Sequence, residues 1–541
     1  MIGGERGGPR EVSLGVLLWF AAGALFVFVR LAGALSIPVG GPELDALSGA
    51  WQAHAGNSDS RYLPTLVQGL AAAMFGFTTS ELAARTLVLV ASASVPFAFW
   101  RLGRRFGEGP ALVALAVLAL DPASVLFGST AAASGFDIAV AAWLLALTYE
   151  ERAPGWLLGA AGFFAATGGG IVLPLVVGLA ALRLVRQEYP SPAAVGWPLG
   201  GVVVGIAAAS LGFGFGWEGP TVPPLAAFGA GFDRPWSSAP EAYLALLYST
   251  PVILGGLAAV VAQVLRCWRD SDWEGLELPL YAWFGAALLW LIAAGGSHDP
   301  APLAAVALPA ALLLGLEVPG MADALHRVNW ASAGAILAGM LLCLGVIEAY
   351  LADWARLNRP GDADEKLIIT GLAVAVVACF GLLFSNRQLY GAALVPPLFA
   401  GALLLFAGAS GVAFGSPDEP MPSPIATIQG EEIRAIVAKD TKENGGDIVV
   451  HPSFEDAMTW ALRDTPHVVV ADRIPAGATA VIWPVTEPAP EGYSVVEGQW
   501  SFTLTRDGPD GGFLPYLRWL TNRNSLKNVP APLAVYLKAG Q

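Results

Sequence analysis

Two carboxylates stand just beyond the first long apolar segment, Glu43 and Asp45 in the stretch GGPELDAL. An ionised carboxylate beside a bound acceptor hydroxyl can take its proton as the oxygen attacks an electrophile. Residues two apart point to opposite sides of a strand, or lie about 200° apart on a helix, so one of the pair faces any single site. A third acid, Asp137 in AAASGFDIAV, opens a later apolar segment. A charge so close to hydrocarbon is costly and points to function; an acid favoured by a helix N-terminus is the plain structural alternative. Cationic groups accompany the acids. Arg61-Tyr62 lies in the same polar stretch, Arg85 opens the next apolar segment in SELAAR, and His298 lies in GGSHDPAP. An arginine can hold a phosphate through paired N–H donors. The structural alternatives are an interfacial anchor for Arg61-Tyr62, an i+4 partner of Glu81 for Arg85, and an ordinary loop histidine for His298.

The surrounding chain is built for a bilayer. Only 13% of its 541 residues are charged, about half the usual share of soluble domains, and the mean hydropathy is +0.59. From about residue 12 to residue 414 it runs as apolar blocks with short polar breaks, and about thirteen of them approach the length that spans hydrocarbon. The block Leu14–Leu35 is long for a signal peptide and lacks a small-residue cleavage site, so it reads as a retained span. Two short blocks, 155–168 and 169–187, meet at Gly168-Gly169-Gly170 and read as tilted helices or as half-helices around a break. The net charge of −14 excludes a nucleic-acid binder that relies on clustered Lys and Arg. Cys267, Cys343 and Cys379 lie in or beside apolar blocks and form no disulfide framework or metal pair.

Positive charge sets the expected orientation. Arg6 and Arg10 precede the first span, which places the N-terminus in the cytoplasm. Alternation then puts Arg101, Arg104, Arg105, Arg152, Arg183, Arg186, Arg266, Arg269, Arg327 and Arg387 inside, and leaves Arg61, Arg234, Arg356 and Arg359 outside. The long segments 36–80, 215–241 and the tail from 415 fall outside, so the working face is expected to be extracytoplasmic. The loop 215–241, with Trp217, Asp233-Arg234, Trp236 and several prolines, reads as an interfacial lid or as an aromatic belt.

Residues 1–414 are thus expected to form a helical membrane domain and 415–541 a small extracytoplasmic α/β domain. In that tail, Gly430–Asn444 and Phe454–Arg463 read as helices, and 447–451, 467–471 and 480–483 as strands, with one or two more in 493–506. The segment GPDGG at 508–512 is a turn rather than a phosphate cradle.

The ordered set of features resembles the GT-C superfamily of polyprenyl-phosphate-sugar-dependent glycosyltransferases, in particular the protein mannosyltransferase and aminoarabinose transferase group. The set runs from a membrane helix, through an acid in the first outer loop, to a proline-led amphipathic helix ending in Phe75-Gly76. SELAAR follows at 80–85, then the turn LGRRFG at 102–107, Asp121-Pro122 closing a third span, and Asp137 opening the fourth. The family often carries an adjacent Asp-Glu pair where this chain has Pro42-Glu43-Leu44-Asp45, and an Arg-Tyr where it has His298-Asp299. The resemblance implies an inverting enzyme with Asp45 or Glu43 as base and Asp137 as second acid. Arg61, Tyr62, Arg85 and His298 would contact substrate and phosphate. The implied partners are a lipid-phosphate-linked sugar and a protein, lipid or glycan acceptor. The Trp-Trp-Asp motif of oligosaccharyltransferases is absent, so en bloc transfer to asparagine is not expected. The five histidines are scattered, none at i,i+4; the sequence requires no cofactor, although a divalent cation between Asp45 and Asp137 is conceivable. The competing expectations are a transporter of lipid-linked sugars, which would want intramembrane charges or paired broken helices, and a non-catalytic scaffold of the same fold.

Overall fold

A computed structural model describes residues 14–37, 39–40, 42–56, 65–149, 155–185, 192–211, 240–270, 277–293, 301–342, 371, 389–414, 427–475, 477–496, 498, 500–507 and 527–538. The membrane domain contributes α1 (Leu14–Ser36), α2 (Pro42–His54), α3 (Leu66–Phe75), α4 (Glu81–Ala93), α5 (Val95–Phe106), α6 (Glu108–Ala119), α7 (Pro122–Ser129) and α8 (Ala133–Thr148). It continues with α9 (Gly155–Thr167), α10 (Val172–Val185), α11 (Pro192–Ser210), α12 (Pro240–Asp270), α13 (Leu278–Ala293), α14 (Ala301–Leu316), α15 (Val318–His326), α16 (Trp330–Leu342) and α17 (Tyr390–Ala413).

Large apolar side chains point outward along these helices. Phe20 is 74% exposed, Phe97 60%, Val203 65% and Leu289 69%. A water-soluble protein would bury them, whereas a bilayer solvates them. The chain is a multi-pass membrane protein. Among the described residues, four helices are long and apolar enough to cross, or up to six when each bent helix pair is taken as one span. Several of the thirteen expected spans are instead shorter apolar helices, and those at 331–351 and 366–385 fall partly or largely outside the described residues. The loop 215–241 lies almost wholly outside them. The helical bundle closes around α14, which buries fourteen of its sixteen residues.

The expected third span, 109–128, is broken. The axes of α6 and α7 differ by 70°. Pro122 supplies no N–H to continue the α6 ladder, and the Asp121 carboxylate instead caps α7, accepting from the Ser124 amide at 2.8 Å. The carbonyls freed at the end of α6 are met from α1. Arg30, 1% exposed, donates to the Leu118 carbonyl at 3.3 Å and to Ser124 Oγ at 2.7 Å. Its guanidinium lies 3.3 Å from the centre of the Phe26 ring. The one charge inside the first span therefore sits at a helix C-terminus, where a cation is favoured.

The C-terminal domain holds α18 (Thr427–Asn444), α19 (Glu455–Ala461) and strands β1 (Asp447–Val450), β2 (Val468–Val470), β3 (Ala478–Pro484), β4 (Tyr493–Val495), β5 (Trp500–Asp507) and β6 (Lys527–Lys538). The order is β2-β1-β3-β6-β4, with β5 also on β6. Strands β2, β1 and β3 are parallel, while β6 runs antiparallel to β3, β4 and β5. Ile448, Val450 and Ile482 pack with Ile433, Val437, Phe454, Met458 and Leu462 of the helical layer. Val449 and Val481 face the other side with Trp483 and Tyr536, as the period of two requires. Strand β6 was not anticipated, because Pro530 and Pro532 argue against a strand. The two prolines are two apart and sit beyond the stretch paired with β3, where β6 is held through β5. Their missing donors thus fall on the same side of the strand.

Candidate active site

The described residues between α1 and α4 fold as helices, so Glu43 and Asp45 both lie in α2. Pro42 is the first residue of α2, where a missing N–H leaves no helical bond unmade. Leu44, Leu47, Ala50 and Ala53 of α2 pack on Ala71, Ala72 and Phe75 of α3. The start of α3 is fixed by a capping box. The Thr65 amide donates to Gln68 Oε1 at 2.7 Å, and the Gln68 amide donates back to Thr65 Oγ1 at 3.3 Å.

Glu43 is 1% exposed and Arg85 3%. Arg85 Nε and Nη2 donate to Oε1 and Oε2 of Glu43, each at 2.7 Å, the paired fork that carboxylate and guanidinium geometry favours. Nη1 donates to the Ala34 carbonyl at 2.7 Å, and the Ala131 amide donates to Glu43 Oε1 at 2.7 Å. One ion pair thus ties the end of α1, the acid helix α2, the start of α4 and the link between α7 and α8. Arg85 is thus paired with Glu43 across the fold rather than with Glu81 alone at i+4. Glu43 accepts three hydrogen bonds within the protein, and Arg85 has three of its five N–H donors committed there. Asp45 belongs to the same helix; its side chain lies outside the described residues, as do Arg61, Tyr62 and His298.

Asp137 is brought to a different place. It lies in the second turn of α8, 1% exposed, and its carboxylate reaches the N-terminus of α10. Oδ2 accepts from the Ile171 amide at 3.0 Å, and the amides of Gly169, Gly170 and Val172 lie close to the carboxylate. The three glycines make this seat. A Cβ on Gly168 would stand 2.1 Å from Asp137 Oδ1, and one on Gly169 2.5 Å from Ser134 Oγ. Gly170 has φ +94°, the left-handed region in which glycine is unstrained. The Gly168–Gly170 break is therefore an anion nest already filled by the chain's own carboxylate.

One partner escaped the sequence reading. Trp460 of α19 is 2% exposed, yet it packs with α2 and α3 rather than with the core of its own domain. Its ring centroid is 5.7 Å from that of Phe75, which lies 5.6 Å from Trp51 of α2. Trp460 Nε1 donates to Glu81 Oε1 at 2.9 Å. The available signal was a tryptophan on the wrong face of a short amphipathic helix.

No family model matches the chain, and no curated protein matches it. Among the solved structures that resemble it are two of the same protein. One is ArnT from Cupriavidus metallidurans bound to undecaprenyl phosphate, 14% identical, with a TM-score of 0.55 over 97% of this chain and 98% of that one. The other is ArnT from the same organism in the apo state, 16% identical, with a TM-score of 0.48 over 85% of this chain and 86% of that one. From α1 to β6, the chain has an ArnT-like fold, the architecture that its resemblance to the GT-C superfamily implies.

Proposed function

We propose that this protein is a membrane glycosyltransferase that moves a sugar from a polyprenyl-phosphate donor to an acceptor on the extracytoplasmic face. The observation that carries the reading is the buried Glu43–Arg85 pair, which fixes the helix bearing Asp45 against three other elements. The fold shared with an ArnT that binds undecaprenyl phosphate supports the donor class. Asp45 removes the acceptor hydroxyl proton. The freed oxygen attacks the anomeric carbon from the face opposite the phosphate, the bond from that carbon to the phosphate oxygen breaks, and the configuration inverts. The leaving phosphate is a stable anion that needs cationic contacts more than a proton; Arg61 and His298 supply them, with a hydrogen bond from the Tyr62 hydroxyl. Glu43 and Arg85 hold the base in place, and Asp137 holds α8 against α10. No step requires a metal ion.

The filled nest favours transfer over transport. In a transporter a half-helix N-terminus at membrane depth is available to an anionic substrate, whereas here Asp137 occupies that position. The test is binding of undecaprenyl phosphate to the full chain in nanodiscs. Saturable binding that weakens in Arg61→Ala and persists in Asp45→Asn supports the assignment. Absence of binding by the wild type refutes the donor class, and flux of labelled lipid across proteoliposomes without sugar transfer would establish a transporter instead.

A further inference from the structure

The C-terminal domain meets α2 through α19, and that helix has two apolar faces. Phe454, Met458 and Leu462 recur every four residues and enter the core beneath the sheet. Trp460, about 200° round the helix from Met458, leaves that core and joins the cluster of α2 and α3. Arg463 secures the arrangement. Its guanidinium lies 4.2 Å from the centre of the Trp460 ring, Nη1 donates to the Trp460 carbonyl at 3.0 Å, and Nε donates across the junction to the Thr79 carbonyl at 3.2 Å. Glu81, the acceptor for Trp460 Nε1, stands one helical turn before Arg85, which holds Glu43. Trp460 therefore reaches α2 through Phe75 and Trp51, while its bond to Glu81 ties it to the start of α4, the helix whose Arg85 holds Glu43.

We propose that Trp460 and Arg463 are positioning residues for the acid helix, so that the C-terminal domain completes the transfer site rather than merely following it in the chain. The assignment rests on the transferase reading for its catalytic consequence, and on the contacts alone for its structural one. A core residue of the C-terminal domain would affect that domain's sheet. A clamp acts instead on a helix some four hundred positions away in sequence and leaves the sheet intact.

The experiment uses the full chain in nanodiscs with Trp460→Ala, Arg463→Ala, Glu81→Ala and Glu81→Gln. The readouts are amide hydrogen exchange, undecaprenyl phosphate binding and glycan yield in membranes at equal protein level. In Trp460→Ala and Glu81→Ala, exchange in α2 rises about tenfold or more while β1 and β3 keep wild-type protection. Undecaprenyl phosphate affinity is unchanged, and glycan yield falls on the order of 10²-fold, as a small misplacement of a catalytic group allows. Arg463→Ala shows the same pattern to a smaller degree, and Glu81→Gln, which keeps an acceptor for the indole N–H, restores α2 protection. Wild-type exchange in α2 of Trp460→Ala overturns the proposal, as does loss of protection that spreads to β1 and β3. A wild-type chain that makes no glycan removes the transferase reading, while the exchange comparison still decides the clamp.

Discussion

Replacing Glu43 by Gln and Arg85 by Met, singly and together, measures what holds the acid helix. Both groups are almost wholly shielded from water, so the partner left behind by either single change is a buried polar group without its mate. Breaking one side of a buried ion pair costs about 3–5 kcal/mol. Glu43→Gln keeps an oxygen for the Ala131 amide, but offers an N–H group to the Arg85 fork and strands a guanidinium that retains the Ala34 carbonyl. Arg85→Met leaves the carboxylate with that amide alone. The double variant has no buried charge at this point, and such replacements are often close to neutral. The two losses are therefore strongly non-additive, with a coupling energy of at least about 3 kcal/mol, against about 0.2–1 kcal/mol for an exposed pair. Reversible unfolding in mixed micelles at neutral pH gives the three differences, and coupling below about 1 kcal/mol would refute the hub described for Arg85. Glycan transfer separates stability from positioning: the double variant recovers the fold and remains impaired in transfer.

Further consequences follow from individual contacts. Gly168→Ala places a Cβ 2.1 Å from Asp137 Oδ1 and 2.7 Å from the Phe164 carbonyl, and loses about 1–3 kcal/mol on unfolding; Gly285→Ala, which meets nothing within 4 Å, is neutral or gains up to about 1 kcal/mol. Arg30→Lys keeps the charge but cannot reach the Phe26, Leu118 and Ser124 oxygens in one plane, so it lowers the melting temperature nearly as much as Arg30→Met. Tyr493 donates to the Ala478 carbonyl at 2.8 Å, and burial raises its phenol above the ordinary value. Because the folded state favours the neutral phenol, its contribution is full below pH about 10 and is lost as pH rises further. Tyr493→Phe costs about 0.5–1.5 kcal/mol near neutral pH and removes that alkaline sensitivity from thermal melts.

The apolar blocks revealed the membrane class because a bilayer imposes a length on hydrophobic runs that composition alone displays. They concealed the bend at Asp121-Pro122, because apolar residues run on through it while a proline and a carboxylate quietly change the hydrogen bonding. The tail's parallel strands were legible as short β-branched runs between helices, but β6 was not, since its prolines mimic a loop. Among the candidate site residues, the type and rough position of Glu43, Asp137 and Arg85 were readable. Their partners were not. Pairing of Glu43 with Arg85 joins residues 42 positions apart, and the amides that hold Asp137 belong to another helix, so neither leaves a local period. The glycines at 168–170 were visible as a break, but their reasons were not: Asp137 crowds Gly168, Ser134 crowds Gly169, and Gly170 has a positive φ. Trp460 lies still farther from its partners, and nothing in a single sequence links it to Glu81.

In the proposed transfer, Asp45, held on α2 by the Glu43–Arg85 pair, activates the acceptor for attack on a lipid-linked sugar. Mass spectrometry of extracytoplasmic glycans tests it most directly, comparing cells without the protein, cells with the wild type, and cells with Asp45→Asn expressed to the same level. The expected result is a glycan species that disappears with the protein, returns with the wild type, and stays absent with Asp45→Asn although that variant folds and binds undecaprenyl phosphate. Full restoration of the species by Asp45→Asn and by Glu43→Gln alike would contradict it.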